Sequence, residues 1–203
     1  MKSLLKAMRR FLRPVGRRVR VFLYRLRGVR VGEGSRILRP YILLSPELLS
    51  IGKETVIYPD AYISLLKEWA GFRYTPEIKI GDGVYIGRHA YFAAIDSIKI
   101  ESGCVLSEYV YITDHAHGFH PESGPIMKQQ LESKGSVHIG RNCFLGFRTS
   151  IMPGVTLGEH CVVGANSVVT RSFPAYSMVA GCPAEVVKVF SLKTGVWVQA
   201  HLK

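Results

Sequence analysis

The segment TDHAHGFH, residues 113–120, concentrates side chains that can move a proton or bind a metal ion. It holds three of the chain's seven histidines and one aspartate. An imidazole changes its protonation close to neutral pH, so it suits general acid–base catalysis, and it is also a frequent zinc ligand. These residue types alone leave three interpretations open: a catalytic base, a metal site, and a polar loop without chemistry.

A six-residue repeat surrounds this segment. From residue 139 the sequence divides into IGRNCF, LGFRTS, IMPGVT, LGEHCV, VGANSV and VTRSFP. Each unit begins with an aliphatic residue, and its fifth position is small or β-branched in most units. Other copies begin at Val31, Ile51, Ile80 and Ile100. This period fits coils of three short strands, about 18 residues each, whose aliphatic residues form a continuous interior. The sequence therefore predicts an all-β solenoid.

Two interruptions of the repeat are too long to be turns. The first is LLKEWAGFRYTPE, between Ile63 and Ile78, and the second lies between Ile112 and Val137 and begins with the histidine segment. Both are predicted to protrude from the wall of the solenoid, where repeat proteins carry binding functions. The protruding loop at about 113–136 is therefore the predicted functional loop.

The net charge of +12 is concentrated in an N-terminal arm. Residues 1–30 contain eleven of the 27 Lys and Arg residues and no acidic residue, so the remainder is nearly neutral. With 47% hydrophobic and 21% charged residues, the composition is that of a globular protein and excludes a disordered chain. We predict a basic helical arm at residues 1–30, a solenoid domain at 31–190 and a tail at 191–203.

The arm alternates apolar and basic residues at helical spacing, with a break at Pro14 and Gly16. Two amphipathic helices are predicted. Their apolar positions are Leu4, Leu5, Met8, Phe11 and Leu12, and then Val19, Phe22, Leu23 and Leu26. Residues 1–28 would lie on an anionic membrane surface or cap the end of the solenoid, and both interpretations stay open. Nucleic acid is not an expected partner, since no aromatic stacking platform accompanies the charge.

Two further features bear on the compartment. Cys104, Cys143 and Cys161 fall at the small fifth position of the repeat, which predicts reduced thiols in the core of a cytosolic protein. No apolar run reaches the roughly 20 residues that span a bilayer, and the arginines that follow MRRFLRP argue against an export signal. We therefore expect a cytoplasmic protein, and attachment to the inner face of the cytoplasmic membrane is one of the two open interpretations of the arm.

The motifs PGVTLG, GANSVVT and GCPA, together with TDH, resemble those of hexapeptide-repeat acyltransferases. More narrowly, the chain is similar to the maltose, galactoside and polysaccharide O-acetyltransferases over roughly residues 31–190. The resemblance implies a left-handed parallel β-helix, which is an exception to the usual right-handed crossover. It also implies a homotrimer with active sites between neighbouring subunits and acetyl-CoA as co-substrate.

The resemblance also assigns roles to residues. His115, the histidine of TDH, matches the family's general base, with His117 as its rival. Asp114 is expected to bind the acceptor or to orient the loop, and Asp96 is a weaker acceptor-binding candidate. The expected coenzyme A contacts are Gly146, Phe147, Gly164, Ala165, Thr170, Arg171 and Lys188. Turn glycines and solvated surface charges are the alternatives for these positions.

Two departures from the family pattern are visible. Phe147 occupies a position that is usually small, so it is expected to reshape the mouth of the thioester groove. The segment YFAAIDS, residues 91–97, lacks the acceptor-binding asparagine of the galactoside enzymes. No metal is expected, because the β-helix carbonic anhydrases take their three zinc-binding histidines from neighbouring coils and two subunits, whereas the histidines here lie in one loop.

The sequence thus predicts an acetyl-CoA-dependent O-acetyltransferase. Its acceptor would be a sugar hydroxyl of a surface-polysaccharide or lipid-linked glycan precursor, attacked directly with help from a general base. Two alternatives stay open. One is an N-acyltransferase acting on an amino sugar, and the other is a non-catalytic trimeric scaffold associated with a membrane.

Overall fold

The computed structural model describes residues 19–40 and 42–200 and shows three parallel sheets that the chain visits in turn. Successive coils pair in register, so that Ile80 lies between Ile51 and Ile100 on neighbouring strands. This three-sided parallel β-coil fits the predicted left-handed β-helix.

The three sheets form three faces of the coil. The first face consists of Arg30–Val31, Leu49–Ile51, Glu77–Ile80, Ser97–Ile100, Val137–Ile139 and Thr156–Leu157. The parallel part of the second face consists of Arg36–Ile37, Val56–Ile57, Tyr85–Ile86, Val105–Leu106, Phe144–Leu145, Val162–Val163 and Ser177–Gly181. The third face consists of Ile42–Leu44, Tyr62–Leu65, Tyr91–Ala94, Tyr111–Thr113, Ser150–Ile151 and Val168–Val169.

The interior follows the six-residue pattern, which the structure confirms. The aliphatic residues that open the six C-terminal units are completely buried: Ile139, Leu145, Ile151, Leu157, Val163 and Val169. The fifth-position residues Cys143, Thr149, Val155, Cys161 and Ser167 are buried as well. Each fully buried aliphatic side chain contributes about 1.5–3 kcal/mol, so the stacked interior is the main source of stability.

The three fifth-position cysteines are core thiols, as predicted. Cys104, Cys143 and Cys161 are buried, and each Sγ donates to a backbone carbonyl of a following coil at 3.0 to 3.2 Å. Contact with the two neighbouring thiols, together with burial, raises the pKa of Cys143. The fourth, Cys182, is exposed.

Short turns join the second face to the third. We call this the tight edge, and it comprises residues 87–90, 107–110, 146–149 and 164–167. Left-handed residues make the corners, with φ of 56° at His89, 60° at Tyr109 and 56° at Arg148. Glycine is needed at 146, because a Cβ there would lie 2.7 Å from the backbone nitrogen of Ala165.

Long insertions interrupt the edge between the third and first faces. We call this the loop edge, and it comprises residues 45–48, 66–76, 95–96, 114–136, 152–155 and 170–172. The two predicted protrusions are confirmed, since each contains a hairpin. One pairs Glu68–Trp69 with Phe72–Arg73, and the other pairs His115–His117 with Leu131–Ser133. Short 3₁₀ turns occur at Pro121–Ser123 and Ile126–Lys128 in the longer insertion, and at Pro46–Leu48 elsewhere on the loop edge.

A helix and a ribbon lie at the two ends of the coil. The helix covers residues 19–26, while the predicted helix at residues 4–13 lies outside the described residues. At the other end, Ala184–Ser191 and Val196–Gln199 extend the second face as an antiparallel ribbon. This ribbon spans the predicted boundary between the solenoid domain at 31–190 and the tail at 191–203. In the described ranges, no helix is both long and apolar enough to cross a membrane.

Candidate active site

The longer insertion is anchored at its base by polar side chains. Thr113 is the last residue of a third-face strand, and its Oγ1 donates to the carbonyl of His115 at 3.0 Å. Opposite it, the Ser133 hydroxyl donates to the carbonyl of Asp114 at 2.6 Å. These bonds fix the backbone on both sides of the TDH motif.

Asp114 is completely buried beneath the loop. Its Oδ1 accepts from the backbone N–H of Ile95 at 3.0 Å, and its Oδ2 accepts from that of Asp96 at 2.9 Å. A third contact joins Oδ1 to Nδ1 of His115 at 2.8 Å. A buried carboxylate requires such partners, because an uncompensated one is strongly destabilising. Asp114 therefore clamps the loop to the preceding coil.

His115 is held by this carboxylate with 10% of its side chain exposed. Its Nδ1 also lies 3.3 Å from Oγ1 of Thr113. An ionised carboxylate can only accept a hydrogen bond, so Nδ1 carries the proton in the neutral ring. The lone pair is then on Nε2, which is the nitrogen able to take a proton from a bound substrate.

His117 and His120 have different surroundings. The ring of His117 is exposed and meets the indole of Trp69 edge to face, with centroids 5.1 Å apart. His120 begins the turn Pro121–Ser123, where its Nδ1 accepts from the backbone N–H of Glu122 at 3.3 Å. Within residues 19–40 and 42–200, no group of three or more His, Cys, Asp or Glu side chains could hold a metal ion.

The shorter insertion contacts the longer one. The hydroxyl of Tyr74 accepts from the backbone N–H of Leu131 at 2.9 Å, beside the contact between Trp69 and His117. Sequence reasoning identified this insertion as a protrusion but assigned no role to Trp69 or Tyr74. The long break in the repeat was the only signal, because the contact between the insertions depends on the fold.

Two buried side-chain polar atoms have no hydrogen-bond partner among the described residues. They are Nε1 of Trp69 and Oγ of Ser64. Ser64 lies in the same row of the third face as Thr113, with Ala93 between them. Buried donors without partners are rare, and they are candidates for contact with a bound molecule.

Asp96 lies next to this anchor and stays exposed. Its Oδ2 accepts from the hydroxyl of Ser136 at 2.8 Å, while its backbone N–H supports Asp114. The structure therefore places Asp96 at the base of the loop, where the side chain is accessible. The side chain of Asp114 is inaccessible, a geometry that supports the loop-orienting role rather than acceptor binding.

The expected coenzyme A contacts fall into two groups. Gly146, Phe147, Gly164 and Ala165 lie on the tight edge, across the third face from His115. Thr170 and Arg171 lie on the loop edge, two coils beyond the TDH motif, and Lys188 lies in the C-terminal ribbon. Within one chain, His115 and the tight-edge residues therefore lie on opposite edges of the third face and do not form one site.

The glycines of the tight edge serve the stacking of the coils. The N–H of Gly146 donates to the carbonyl of Val163 at 2.9 Å, so this amide is already occupied. A Cβ at Gly164 would lie 3.0 Å from the Cβ of Ala180. Ala165 is exposed beside them, and the exposed rings of Tyr109 and Phe147 lie on the same edge.

Phe147 and Arg171 have the largest side chains among the residues that are expected to contact coenzyme A. The ring of Phe147 is 39% exposed and meets Tyr109 edge to face, with centroids 5.6 Å apart. The guanidinium of Arg171 lies 5.0 Å from the ring centre of Phe173 and is paired with the carboxylate of Glu185. A phosphate that binds Arg171 would therefore compete with Glu185.

Known proteins share this repeat. A protein-family model described as the hexapeptide repeat of succinyl-transferase matches residues 77–114 and 136–171. The chain is 35% identical over 130 residues to WbbJ of Escherichia coli (strain K12). The name of that protein assigns it to lipopolysaccharide biosynthesis as an O-acetyl transferase. The matched stretch covers 61% of this chain and 66% of WbbJ. Residues 77–114 and 136–171 therefore carry the hexapeptide repeat. The motif-based recognition is thereby confirmed.

Further relatives match a shorter stretch. The Staphylococcus aureus (strain COL) protein SACOL2570, named as an acetyltransferase, is 33% identical over 115 residues, with 55% of this chain and 54% of that protein covered. The chain thus spans between about half and two thirds of the length of these relatives.

A solved structure supports the fold. AntD, an N-acyltransferase from Bacillus cereus solved with dTDP and 3-hydroxybutyryl-CoA, superposes with a TM-score of 0.71 at 19% identity. The match covers 86% of this chain and 90% of that one. At this identity the likeness concerns the fold alone.

Proposed function

We propose that the chain is an acetyl-CoA-dependent O-acetyltransferase whose acceptor is a sugar hydroxyl of a surface-polysaccharide or lipid-linked glycan precursor. The observation that carries the proposal is the pair of His115 and the completely buried Asp114, joined at 2.8 Å. Asp114 is in turn fixed by two backbone N–H groups. A histidine held in one orientation, with Nε2 left for the substrate, is the arrangement that general-base catalysis requires.

The transfer would proceed in a single encounter of the two substrates. Nε2 of His115 takes the proton of the acceptor hydroxyl while that oxygen attacks the thioester carbonyl carbon. The resulting tetrahedral intermediate collapses, the C–S bond breaks, and the coenzyme A thiolate takes the proton back from the imidazolium. Asp114 stabilises the positive charge that His115 carries between these two proton transfers. No covalent enzyme intermediate is needed.

Three observations support a hydroxyl-rich acceptor beside the loop. Trp69 and His117 form an aromatic wall, and apolar ring faces suit the C–H surface of a sugar. The unpartnered Ser64 Oγ and Trp69 Nε1 would gain partners from sugar hydroxyls. WbbJ, the E. coli relative, is named for lipopolysaccharide biosynthesis.

The donor would lie between two copies of the chain in a homotrimer. The separation of His115 on the loop edge from Gly146, Phe147, Gly164 and Ala165 on the tight edge supports this placement. A neighbouring copy can present its tight edge to the first copy's loop edge, as head-to-tail rings do. Arg171 and Lys188 are the proposed phosphate contacts.

An amino sugar is the second candidate acceptor. The same Nε2 would take a proton from an attacking amine, so the geometry of His115 and Asp114 suits both reactions. AntD, whose fold the chain shares, is an N-acyltransferase solved with dTDP and an acyl-CoA. This likeness in fold is a reason to include amino sugars among the acceptors that are tested.

Thiol release from acetyl-CoA, measured with a panel of sugars and amino sugars, tests the proposal. We expect acceptor-dependent release by the wild type and a loss of about 10²–10⁴-fold in His115→Ala, since that is the usual contribution of a general base. His117→Ala is the matched control, because it removes an imidazole from the same strand, and we expect it to change the rate by only a few-fold.

Two results would contradict the proposal. Loss of activity in His117→Ala alone would move the base to that residue. Absence of release with every acceptor, combined with no coenzyme A binding by calorimetry, would favour the non-catalytic scaffold.

A further inference from the structure

The helix of residues 19–26 has two apolar faces, and among the described residues only one of them packs against the coil. Val21 and Tyr24 pack against the core of the first coil. The opposite face consists of Val19, Phe22, Leu23 and Leu26, which are 51%, 59%, 52% and 68% exposed. The helix therefore caps the coil and also presents an apolar stripe outward, so capping and membrane binding are not exclusive.

Hydrogen bonds hold the helix in this orientation. The guanidinium of Arg25 donates to the carbonyl of Val31 at 2.6 Å, and that of Arg20 donates to the carbonyl of Ile37 at 3.4 Å. Burial raises the pKa of the Tyr24 hydroxyl, while Arg20 and Arg27 act in the opposite direction. The outward stripe is thus a fixed surface of the first coil.

A groove lies directly beside the apolar stripe. It has a volume of about 510 Å³, and its described lining combines three arginines with apolar side chains. The lining residues are Arg20, Leu23, Tyr24, Leu26, Arg27, Arg39 and Pro40. None of these described lining residues is acidic. Glu47, whose Cβ would lie 2.7 Å from a Cβ added at Gly28, is already paired with Lys67.

We propose that this groove binds the phosphate headgroup of an anionic phospholipid while Phe22, Leu23 and Leu26 enter the adjacent acyl region of the same membrane. Guanidinium groups bind phosphate oxygens in bidentate geometry, and apolar side chains beside them suit the boundary between headgroups and acyl chains. The inference is independent of the transferase reaction.

Charge complementarity selects this occupant. Residues 1–30 carry eleven Lys and Arg and no acid, so the helical end of the molecule is attracted to a negative surface. Each basic side chain near such a surface adds to binding, but charge alone gives weak attachment. The outward stripe supplies the apolar contribution that converts attraction into insertion.

Co-sedimentation of the full chain with lipid vesicles tests the proposal. The vesicles contain phosphatidylcholine alone or phosphatidylcholine mixed with phosphatidylglycerol. We expect binding to the anionic vesicles and little to the neutral ones. The double substitution Phe22→Ser with Leu26→Ser should weaken partitioning by about tenfold or more, because it removes the inserted side chains. Arg39→Gln should weaken it a few-fold.

Matched controls come from the opposite end of the molecule. Leu192 is 72% exposed and is followed by the exposed Lys193. Leu192→Ser and Lys193→Gln remove the same kinds of side chain, and both should leave partitioning unchanged. Circular dichroism and thermal unfolding identify any variant that fails to fold.

A second measurement does not depend on removing the stripe. Phe22→Trp places an indole on the outward face, and brominated phosphatidylcholine in the anionic vesicles should quench its fluorescence beyond the level seen in the wild type. Equal quenching in Phe22→Trp and wild type would show that the face stays outside the bilayer and would overturn the proposal.

Three other outcomes would also overturn it. The first is vesicle binding by the Phe22→Ser, Leu26→Ser chain that equals wild type, which would indicate attachment through other residues. The second is a lower molar mass of that variant in light scattering, which would make the stripe a contact between copies of the chain. The third is release from anionic vesicles by added duplex DNA with loss of lipid quenching, which would assign the surface to nucleic acid.

Discussion

The two edges of the third face differ in whether they keep the six-residue repeat. The tight edge keeps the six-residue period, and its corners are single left-handed residues such as Tyr109 and Arg148. The loop edge abandons the period twice, at residues 66–76 and 114–136, and each insertion forms a hairpin. The completely buried Asp114 lies at the base of the longer insertion.

In our proposal the two edges recognise different substrates: the tight edge binds coenzyme A, and the loop edge binds the acceptor. A regular edge offers corners at a constant spacing, which suits a long extended molecule such as coenzyme A. An interrupted edge can build an enclosed site, with its own anchors and aromatic walls, around one reacting group. Substitutions in the two edges should therefore change different kinetic parameters.

The largest effect is expected from breaking the anchor of the loop edge. Asp114→Asn keeps the size of the side chain but places an NH₂ group against backbone N–H donors that need acceptors. We expect kcat to fall by about 10²-fold, because the substitution removes the group that orients His115 and stabilises its charge. The unfolding free energy should fall by about 1–3 kcal/mol.

The control for this prediction is Asp96→Asn, which removes a charge from the exposed neighbour and should change kcat little. Steady-state kinetics at saturating acetyl-CoA, with thermal unfolding in parallel, separates the two variants. A rise of KM with unchanged kcat in Asp114→Asn would show that the carboxylate does not position the base.

An intermediate effect is expected from the phosphate contact. Arg171→Gln should raise the KM for acetyl-CoA by roughly tenfold with kcat unchanged, because one charge-assisted hydrogen bond to the donor is lost. Glu185→Gln is the complementary variant. It removes the carboxylate paired with Arg171, so it should lower that KM. If both substitutions leave KM unchanged, Arg171 is a solvated surface charge.

The smallest effect is expected from removing the Phe147 ring on the tight edge. Phe147→Ala removes a half-exposed ring that contacts Tyr109, which should widen the path for the acyl chain. We expect the ratio of kcat/KM for butyryl-CoA to that for acetyl-CoA to rise by a few-fold, since pocket contacts of this size discriminate weakly. Tyr109→Phe, which keeps the ring contact, should leave the ratio unchanged.

The repeat made much of the fold predictable. Ile139, Leu145 and Ile151 recur at a fixed interval, so their burial follows from the period alone. The two protrusions were predictable for the same reason, because the period fails there. The choice between the two predicted roles of Asp114 was not, since its partners Ile95 and Asp96 belong to the preceding coil. The sequence identified the apolar face of the helix at residues 19–26, but not that this face points outward while Val21 and Tyr24 pack against the coil. Helical periodicity identifies an apolar face without saying which side packs.

Mixing two inactive variants tests most directly whether the two edges act across a subunit boundary. His115→Ala removes the proposed base from the loop edge, and Ala165→Trp fills the exposed surface of the tight edge. Each alone should be inactive. Random co-assembly of the two chains would restore an intact pair of edges at roughly a quarter of subunit boundaries. We therefore predict thiol release at about a quarter of the wild-type rate. A mixture as inactive as its parents would show that one chain supplies both edges, contradicting a shared site.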